Sequence, residues 1–387
     1  MKHPLFQLQY ELELPFSEAG TEKGAKLTSA KVDPELLKRL EKLSQMSYRD
    51  LVQSWSGERS DDDDSVTVLP MSTRTPEALG YRIGERHPRL IFITRPLHTI
   101  KLLDEYLAAA NKHMAPGGIL YCHTMTAALK RLLISQRYPW GISALVAAYE
   151  YLWHRVCPKL KLTKKIYFSF TQGKNRTFTR VEIIGRLYRA GFEVIDEQFR
   201  DGEYFVIAQQ SAPPIEDTPP TGSPIIHLRR IGKGGQEIVV HKFRTMYTYS
   251  EYVQPYIYQY QNLERGGKFK DDYRVNYWGH LLRRLWLDEI PMVWNLIRGD
   301  IKLVGVRPLS RQYFNLYSPE IQQLRIRTKP GLLPPFYYDE HTPVTLDEVQ
   351  ESERRYLEAY LTKPFATDWR YFWGIVGNIL FHRKHSA

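Results

Sequence analysis

Asp288 and Glu289 are adjacent carboxylates, and Arg283 and Arg284 stand five and four positions ahead of Asp288. Upstream, Lys242 and Arg244 follow the apolar pair Val239-Val240, so strand alternation sends both cations to one face at the end of that strand. Paired carboxylates amid arginines suit a divalent metal and a polyphosphate bound together: the metal takes hard oxygen ligands and the guanidinium groups clamp phosphate oxygens. A carboxylate can also attack phosphorus directly and form an acyl phosphate. Pro291 follows the pair closely and marks it as a helix start, because proline is tolerated in the first turn only. That placement leaves a purely structural alternative, in which Asp288 and Glu289 cap open backbone amides and complement the helix dipole.

The elements that must position these groups lie within an α/β chain of four parts. Residues 1–65 are read as a leader with one amphipathic helix, carrying Leu36, Leu37, Leu40 and Leu43 after Asp33-Pro34, and an acidic loop at Asp61-Asp62-Asp63-Asp64. Residues 66–211 are read as a Rossmann-like α/β domain. Strand Arg89–Thr94, helix His98–His113, turn Pro116-Gly117-Gly118 and strand Ile119–Cys122 form a parallel βαβ unit. Helix Thr179–Ala190 stops at Gly191, and Asp201-Gly202 signals a hairpin between two further strands. This region faintly resembles the later half of an S-adenosylmethionine methyltransferase. It has no glycine-rich loop after an early strand, so it is expected to be a scaffold without cofactor. Residues 212–224 form a Pro-rich linker, and residues 225–387 the last domain.

That last domain carries four ordered motifs: Lys242-Phe243-Arg244-Thr245-Met246, Leu287-Asp288-Glu289-Ile290-Pro291, Gly299-Asp300 through Leu303-Val304-Gly305-Val306-Arg307-Pro308, and Lys329-Pro330-Gly331. In this order they resemble the bacterial sugar transferase family, the monotopic phosphoglycosyl transferases, over about residues 222–385. The resemblance implies a compact, mostly helical α/β domain on the cytoplasmic membrane face. It implies transfer of a phosphosugar from a UDP-sugar to polyprenyl (undecaprenyl) phosphate, at the start of polysaccharide or glycoconjugate synthesis. Asp288 matches the nucleophile and Glu289 its acidic partner, the two together handling Mg²⁺. Gly305, Arg307 and Pro308 match a nucleotide- and phosphate-binding loop. Lys242, Arg244, Arg283 and Arg284 match basic positions for the diphosphate and the acceptor phosphate.

Several positions depart from the family pattern. The apolar re-entrant helix expected ahead of the domain is replaced by Glu216-Asp217-Thr218-Pro219-Pro220-Thr221. Trp286 stands for a usual Ser, Met292 for Gln, Lys302 for Ser and Val306 for Pro. After Lys329-Pro330-Gly331 the chain runs Leu332-Leu333-Pro334-Pro335-Phe336. These changes keep open a second reading: a non-catalytic nucleotide-sugar-binding subunit that partners an integral membrane enzyme. Membrane contact would fall to the aromatic stretch 365–381, which precedes His382-Arg383-Lys384-His385 and has the pattern of an interfacial helix. The Tyr-rich stretch Tyr247–Tyr260 is a further amphipathic candidate, for a lid or an interfacial surface.

Composition sets outer bounds on these readings. The 387 residues are 43% hydrophobic and 25% charged, an ordinary globular mixture, with a net charge of +11 that favours anionic partners. That charge is the sole argument for nucleic acid, and no nucleic-acid-binding module accompanies it. Two cysteines, Cys122 and Cys157, exclude a disulfide framework, and no Cys/His cluster has zinc spacing. No secretory h-region opens the chain. Gly141–Trp153, interrupted by Glu150, and Trp373–Phe381 are too short to span a bilayer. The expected location is cytoplasmic and peripheral, on the inner face of the membrane.

Overall fold

The computed structural model describes residues 66–69, 73–200, 202–220, 222–254, 256, 273–339, 341, 343 and 345–382. The expected leader helix, the acidic loop and the basic residues 383–385 lie outside them. The described residues fall into two compact units. One is drawn from Met1–Gly222 plus Tyr247–Ile257, the other from Ser223–Met246 plus the chain from Tyr258 onward.

The first unit is a five-stranded sheet with helices. Strand β1 (Val66–Leu69) is followed by α1 (Pro76–Ile83), β2 (Leu90–Ile93), α2 (Leu103–His113) and β3 (Ile119–Thr124). The three strands pair in parallel, and β2 and β3 are buried along their whole length, as an apolar run between two covered faces requires. Helix α2 begins five residues later than its periodicity predicts. Leu97 and Ile100 reach the core from a separate turn, which the Thr99 hydroxyl fixes by donating to the Pro96 carbonyl at 2.7 Å. Then come α3 (Ala127–Arg137), α4 (Trp140–Glu150), a π-helical turn Tyr151–Val156, α5 (Lys161–Thr171) and α6 (Arg180–Arg189). A capping box starts α6, with Thr179 and Glu182 satisfying each other's backbone amides. The unit closes with β4 (Phe192–Arg200) and β5 (Glu203–Gln210), an antiparallel hairpin whose β5 pairs with β3, giving the order β1-β2-β3-β5-β4.

Two sequence expectations change here. The Pro-rich segment is pinned to the first unit, because the Ile215 amide donates to the Arg189 carbonyl at 2.9 Å and Arg189 Nε to Asp217 Oδ1 at 2.8 Å. The described part of the Tyr-rich stretch is neither a lid nor an interfacial surface. Tyr249 and Tyr256 are buried in the first unit, donating to Asp104 and Glu197, and Arg186 lies 4.1 Å over the Tyr249 ring. Phenols can be buried in this way because each hydroxyl finds a carboxylate.

The second unit is an α/β arrangement of short elements. The hairpin β6 (Ile225–Ile231) and β7 (Glu237–Phe243) leads to α7 (Tyr277–Arg284), a 3₁₀ turn Leu287–Glu289, α8 (Met292–Arg298) and β8 (Lys302–Val304). After α9 (Arg311–Phe314) and α10 (Pro319–Ile326), β9 (Gly331–Leu333) pairs in parallel with β8. Gly305 and Gly331 lie back to back. A Cβ on Gly331 would meet the Gly305 amide nitrogen at 2.1 Å, which gives the Lys-Pro-Gly motif a packing reason.

Two long helices, α11 (Leu346–Thr362) and α12 (Pro364–His382), cover this pair through Tyr356, Leu357, Tyr371 and Ile375, packed on Val304 and Val306. Lys302 bonds the Tyr356 hydroxyl at 2.7 Å and Asp368 at 3.1 Å, and sits 3.2 Å over the Tyr360 ring. The lysine that departs from the family pattern thus fastens β8 to α11 and α12. Helix α12 divides its aromatics: Tyr371 is buried, whereas Phe365, Trp369 and Trp373 are exposed. No described helix is long and apolar enough to cross a membrane.

Arg325 on α10 and Glu353 on α11 form a fully buried ion pair, and Arg325 also donates to the Arg307 carbonyl. Glu353→Ala leaves a buried guanidinium without its counter-charge. A loss of about 3–5 kcal/mol in the chemical unfolding of the second unit is expected.

Candidate active site

The site is built where α8 docks on β7. In the hairpin, one edge of β7 faces β6 and the other leaves backbone groups open. Asn295, fully buried on α8, closes that edge. Its Oδ1 accepts from the His241 amide at 3.0 Å, and its Nδ2 donates to the Val239 carbonyl at 2.6 Å and to Asp300 Oδ2 at 3.1 Å. This fixes Lys242, the next residue of β7, against the turn that opens α8. Lys242 Nζ pairs with Glu289 Oε1 at 2.5 Å. Burial lowers the Lys242 pKa, the Glu289 charge opposes that fall, and the Arg307 charge adds to it.

Asp288 and Glu289 do not open the helix as expected but sit one turn ahead of its start. They belong to the 3₁₀ turn, and α8 begins at Met292 with Pro291 at its N-cap position and no side-chain cap. Trp286 is the cause: its left-handed backbone (φ 59°) breaks the path from α7 before the carboxylates are reached. A non-glycine residue at positive φ is strained, and here the Trp286 ring is held edge-on to Tyr337 at 4.6 Å.

The capping alternative for Asp288 is not what the geometry presents. Asp288 is 6% exposed, and its Oδ1 is buried without a hydrogen-bond partner. Burial raises its pKa, the Lys242 charge pulls it back, Glu289 adds to the rise and Arg283 opposes it.

The other expected residues are distributed unequally. Arg283 donates from Nε to Thr245 Oγ1 at 3.0 Å, an approach made possible by Gly279, where a Cβ would meet the Thr245 carbonyl oxygen at 2.0 Å. Arg284 is exposed. Arg244 donates from Nε to the Ser223 carbonyl at 3.0 Å. Arg307 lies within electrostatic reach of Lys242, with no carboxylate ion pair among the described residues. Gly305 and Pro308 are buried, so they shape the loop that carries Arg307 and leave binding to its side chain.

Sequence reasoning missed Asn295. Its signal was a lone amide in the otherwise apolar run Met292–Ile297. Among the described residues no group of three or more His, Cys, Asp or Glu side chains could hold a metal alone. Two adjacent carboxylates, one with an orphaned oxygen, fit Mg²⁺ in its usual mode of one or two protein carboxylates completed by substrate phosphates.

Residues 216–381 match the family model described as bacterial sugar transferase. Among curated relatives, the UDP-galactose-lipid carrier transferase of Erwinia amylovora is 32% identical over 116 residues, which is 29% of this chain and 24% of that protein. The exopolysaccharide production protein ExoY of Sinorhizobium fredii is 36% identical over 116 residues, 29% of this chain and 51% of that protein. The UDP-glucose:undecaprenyl-phosphate glucose-1-phosphate transferase of Xanthomonas campestris is 33% identical over 113 residues, 29% of this chain and 22% of that protein. The chain therefore spans between about a fifth and a half of the length of these relatives.

Two outcomes follow from the site. Because the folded state raises the Asp288 pKa, ionisation of this group costs stability, and the cost grows as pH rises from the ordinary carboxylate range through the elevated value. Asp288→Asn is expected to raise the thermal midpoint at pH 7, and by less at pH 4, in metal-free buffer. Asn295→Leu strands two backbone groups of β7 and is expected to cost about 1–3 kcal/mol in chemical unfolding.

Proposed function

We propose that the second unit transfers a phosphosugar from a UDP-sugar to polyprenyl phosphate through a covalent intermediate on Asp288. The observation that carries this reading is the buried, unpartnered Oδ1 of Asp288 beside the Lys242–Glu289 pair. An oxygen with no hydrogen-bond donor to satisfy it keeps its lone pairs for an electrophile. Its attack on the sugar-linked phosphorus would form an acyl phosphate and break the bond to UMP, which leaves. An oxygen of polyprenyl phosphate would then attack the same phosphorus, restore the carboxylate and yield the polyprenyl diphosphate sugar.

In this reading Lys242, paired with Glu289, places positive charge beside the nucleophile. Arg283 and Arg307 neutralise the phosphoryl oxygens as charge builds there. Arg284 and Arg244 offer further contacts to the diphosphate or the acceptor phosphate. Asp288 and Glu289 would hold Mg²⁺ together with the diphosphate, and the ion would supply charge neutralisation. The names of the Erwinia and Xanthomonas relatives support a UDP-sugar donor and a lipid-carrier acceptor. The lipid acceptor also fits the exposed apolar side chains of Leu287, Ile290, Val293 and Trp294 beside Asp288, which suit the isoprenoid chain of a polyprenol better than water. In this reading the protein binds peripherally at the cytoplasmic face of the membrane, where nucleotide sugars are made, beside a membrane protein of the same pathway.

The test is UMP release by the full chain with Mg²⁺, a panel of UDP-sugars and polyprenyl phosphate in detergent micelles. Polyprenol-dependent release is expected, abolished in Asp288→Asn and reduced roughly a hundredfold in Lys242→Met. UDP-sugar binding without release across the panel would replace this reading with that of a non-catalytic binding subunit.

A further inference from the structure

The first unit carries a helical hairpin whose polarity is inverted. Several of its polar and charged side chains face inward: Arg155 pairs with Glu182 at 2.9 Å, Lys159 joins the same carboxylate, and His154 Nδ1 meets the Tyr167 hydroxyl at 3.1 Å. Most of its large apolar side chains face outward. Helix α4 buries no residue at all, and Trp140, Leu145 and Tyr149 project from it into solvent. On α5, Leu162, Ile166 and Phe170 recur every fourth residue and line one exposed face. A water-facing helix in a soluble protein has the reverse pattern. Burying polar groups against α6 while presenting tryptophan, tyrosine and leucine outward makes sense when the outer medium is apolar.

Charge identifies the medium. Residues 127–172 contain eight lysines and arginines and a single acid, Glu150. That acid is already neutralised by Lys130 at 2.5 Å. Lys164 and Lys165 are exposed on α5, interleaved with its apolar face. A basic, aromatic-rich apolar surface of this kind settles at the boundary between headgroups and acyl chains of an anionic bilayer.

We propose that the α4–α5 hairpin of the first unit is a docking surface for an anionic lipid bilayer. The surface lies wholly in the first unit, so the inference stands apart from the transferase chemistry assigned to the second.

The test is sedimentation of the full chain with vesicles of phosphatidylcholine alone or mixed equally with phosphatidylglycerol, without substrate. Binding to the mixed vesicles is expected, and weaker binding to the neutral ones. Trp140, Leu162 and Phe170 are 86%, 89% and 79% exposed, so replacing them disturbs no core. The combined Trp140→Ser, Leu162→Ser, Phe170→Ser variant is expected to lose about tenfold or more in vesicle affinity. It should keep the wild-type thermal midpoint and the wild-type behaviour toward UDP-sugars in detergent micelles. Lys164→Glu with Lys165→Glu is expected to erase the preference for phosphatidylglycerol. The proposal is overturned if the wild type stays in solution with both vesicles, or if the triple variant binds as tightly as the wild type. It is equally overturned if the triple substitution dissolves an oligomer of this chain and leaves vesicle binding unchanged, since the face would then be a protein interface. None of these readouts depends on phosphosugar transfer, so either reading can fail alone.

Discussion

A strand edge closed by one side-chain amide holds the site in the second unit together. A two-stranded hairpin leaves half of the hydrogen-bonding groups of each strand unpaired, and burying them unsatisfied is costly. Asn295 supplies both partners for one stretch of β7, a donor for Val239 and an acceptor for His241, and so imitates a third strand within a helix. The register that results is narrow. It sets Lys242 against Glu289 and leaves Asp288 in the same pocket, and it ties that geometry to Asp300 at the far end of α8.

The rest of the site accepts unfavourable terms. A carboxylate is buried with one oxygen unsatisfied, a tryptophan is held at positive φ, and a lysine is desolvated. Such features persist only where the surroundings over-determine them. Here the surroundings include the Arg325–Glu353 pair that grips the Arg307 carbonyl and the Lys302 cluster that clamps the two long helices to β8. Both sets of contacts run between elements far apart in sequence, and both stiffen the loop beside the carboxylates.

That long-range character explains what the sequence could and could not reveal. The carboxylate pair, its arginines and the βαβ unit were legible because short-range spacing and period specify them. The start of α8 was misplaced because Pro291 announces a helix without announcing the left-handed residue at 286 that sends the chain through a separate turn first. The aromatic stretch after Met246 reads as amphipathic, and only the fold shows which carboxylates its phenols reach, since Asp104 and Glu197 are distant in sequence. Asn295 carried chemistry, but its partners are backbone atoms of another element, which no residue pattern encodes. The hairpin 140–171 looks like an ordinary helical pair until burial shows which side faces inward.

The path of the chain after Met246 also bears on how the protein is made and dissected. Tyr249 and Tyr256 complete the core of the first unit, yet they are encoded after the β6–β7 hairpin of the second. On the ribosome, the bonds from Tyr249 to Asp104 and from Tyr256 to Glu197 cannot both form until residue 256 has emerged, after the β6–β7 hairpin has been made. A fragment cut at the Pro-rich segment would separate Asp104 and Glu197 from the phenols that satisfy them. What looks like a boundary between two independent pieces is a chain that returns to the first unit before the second is finished.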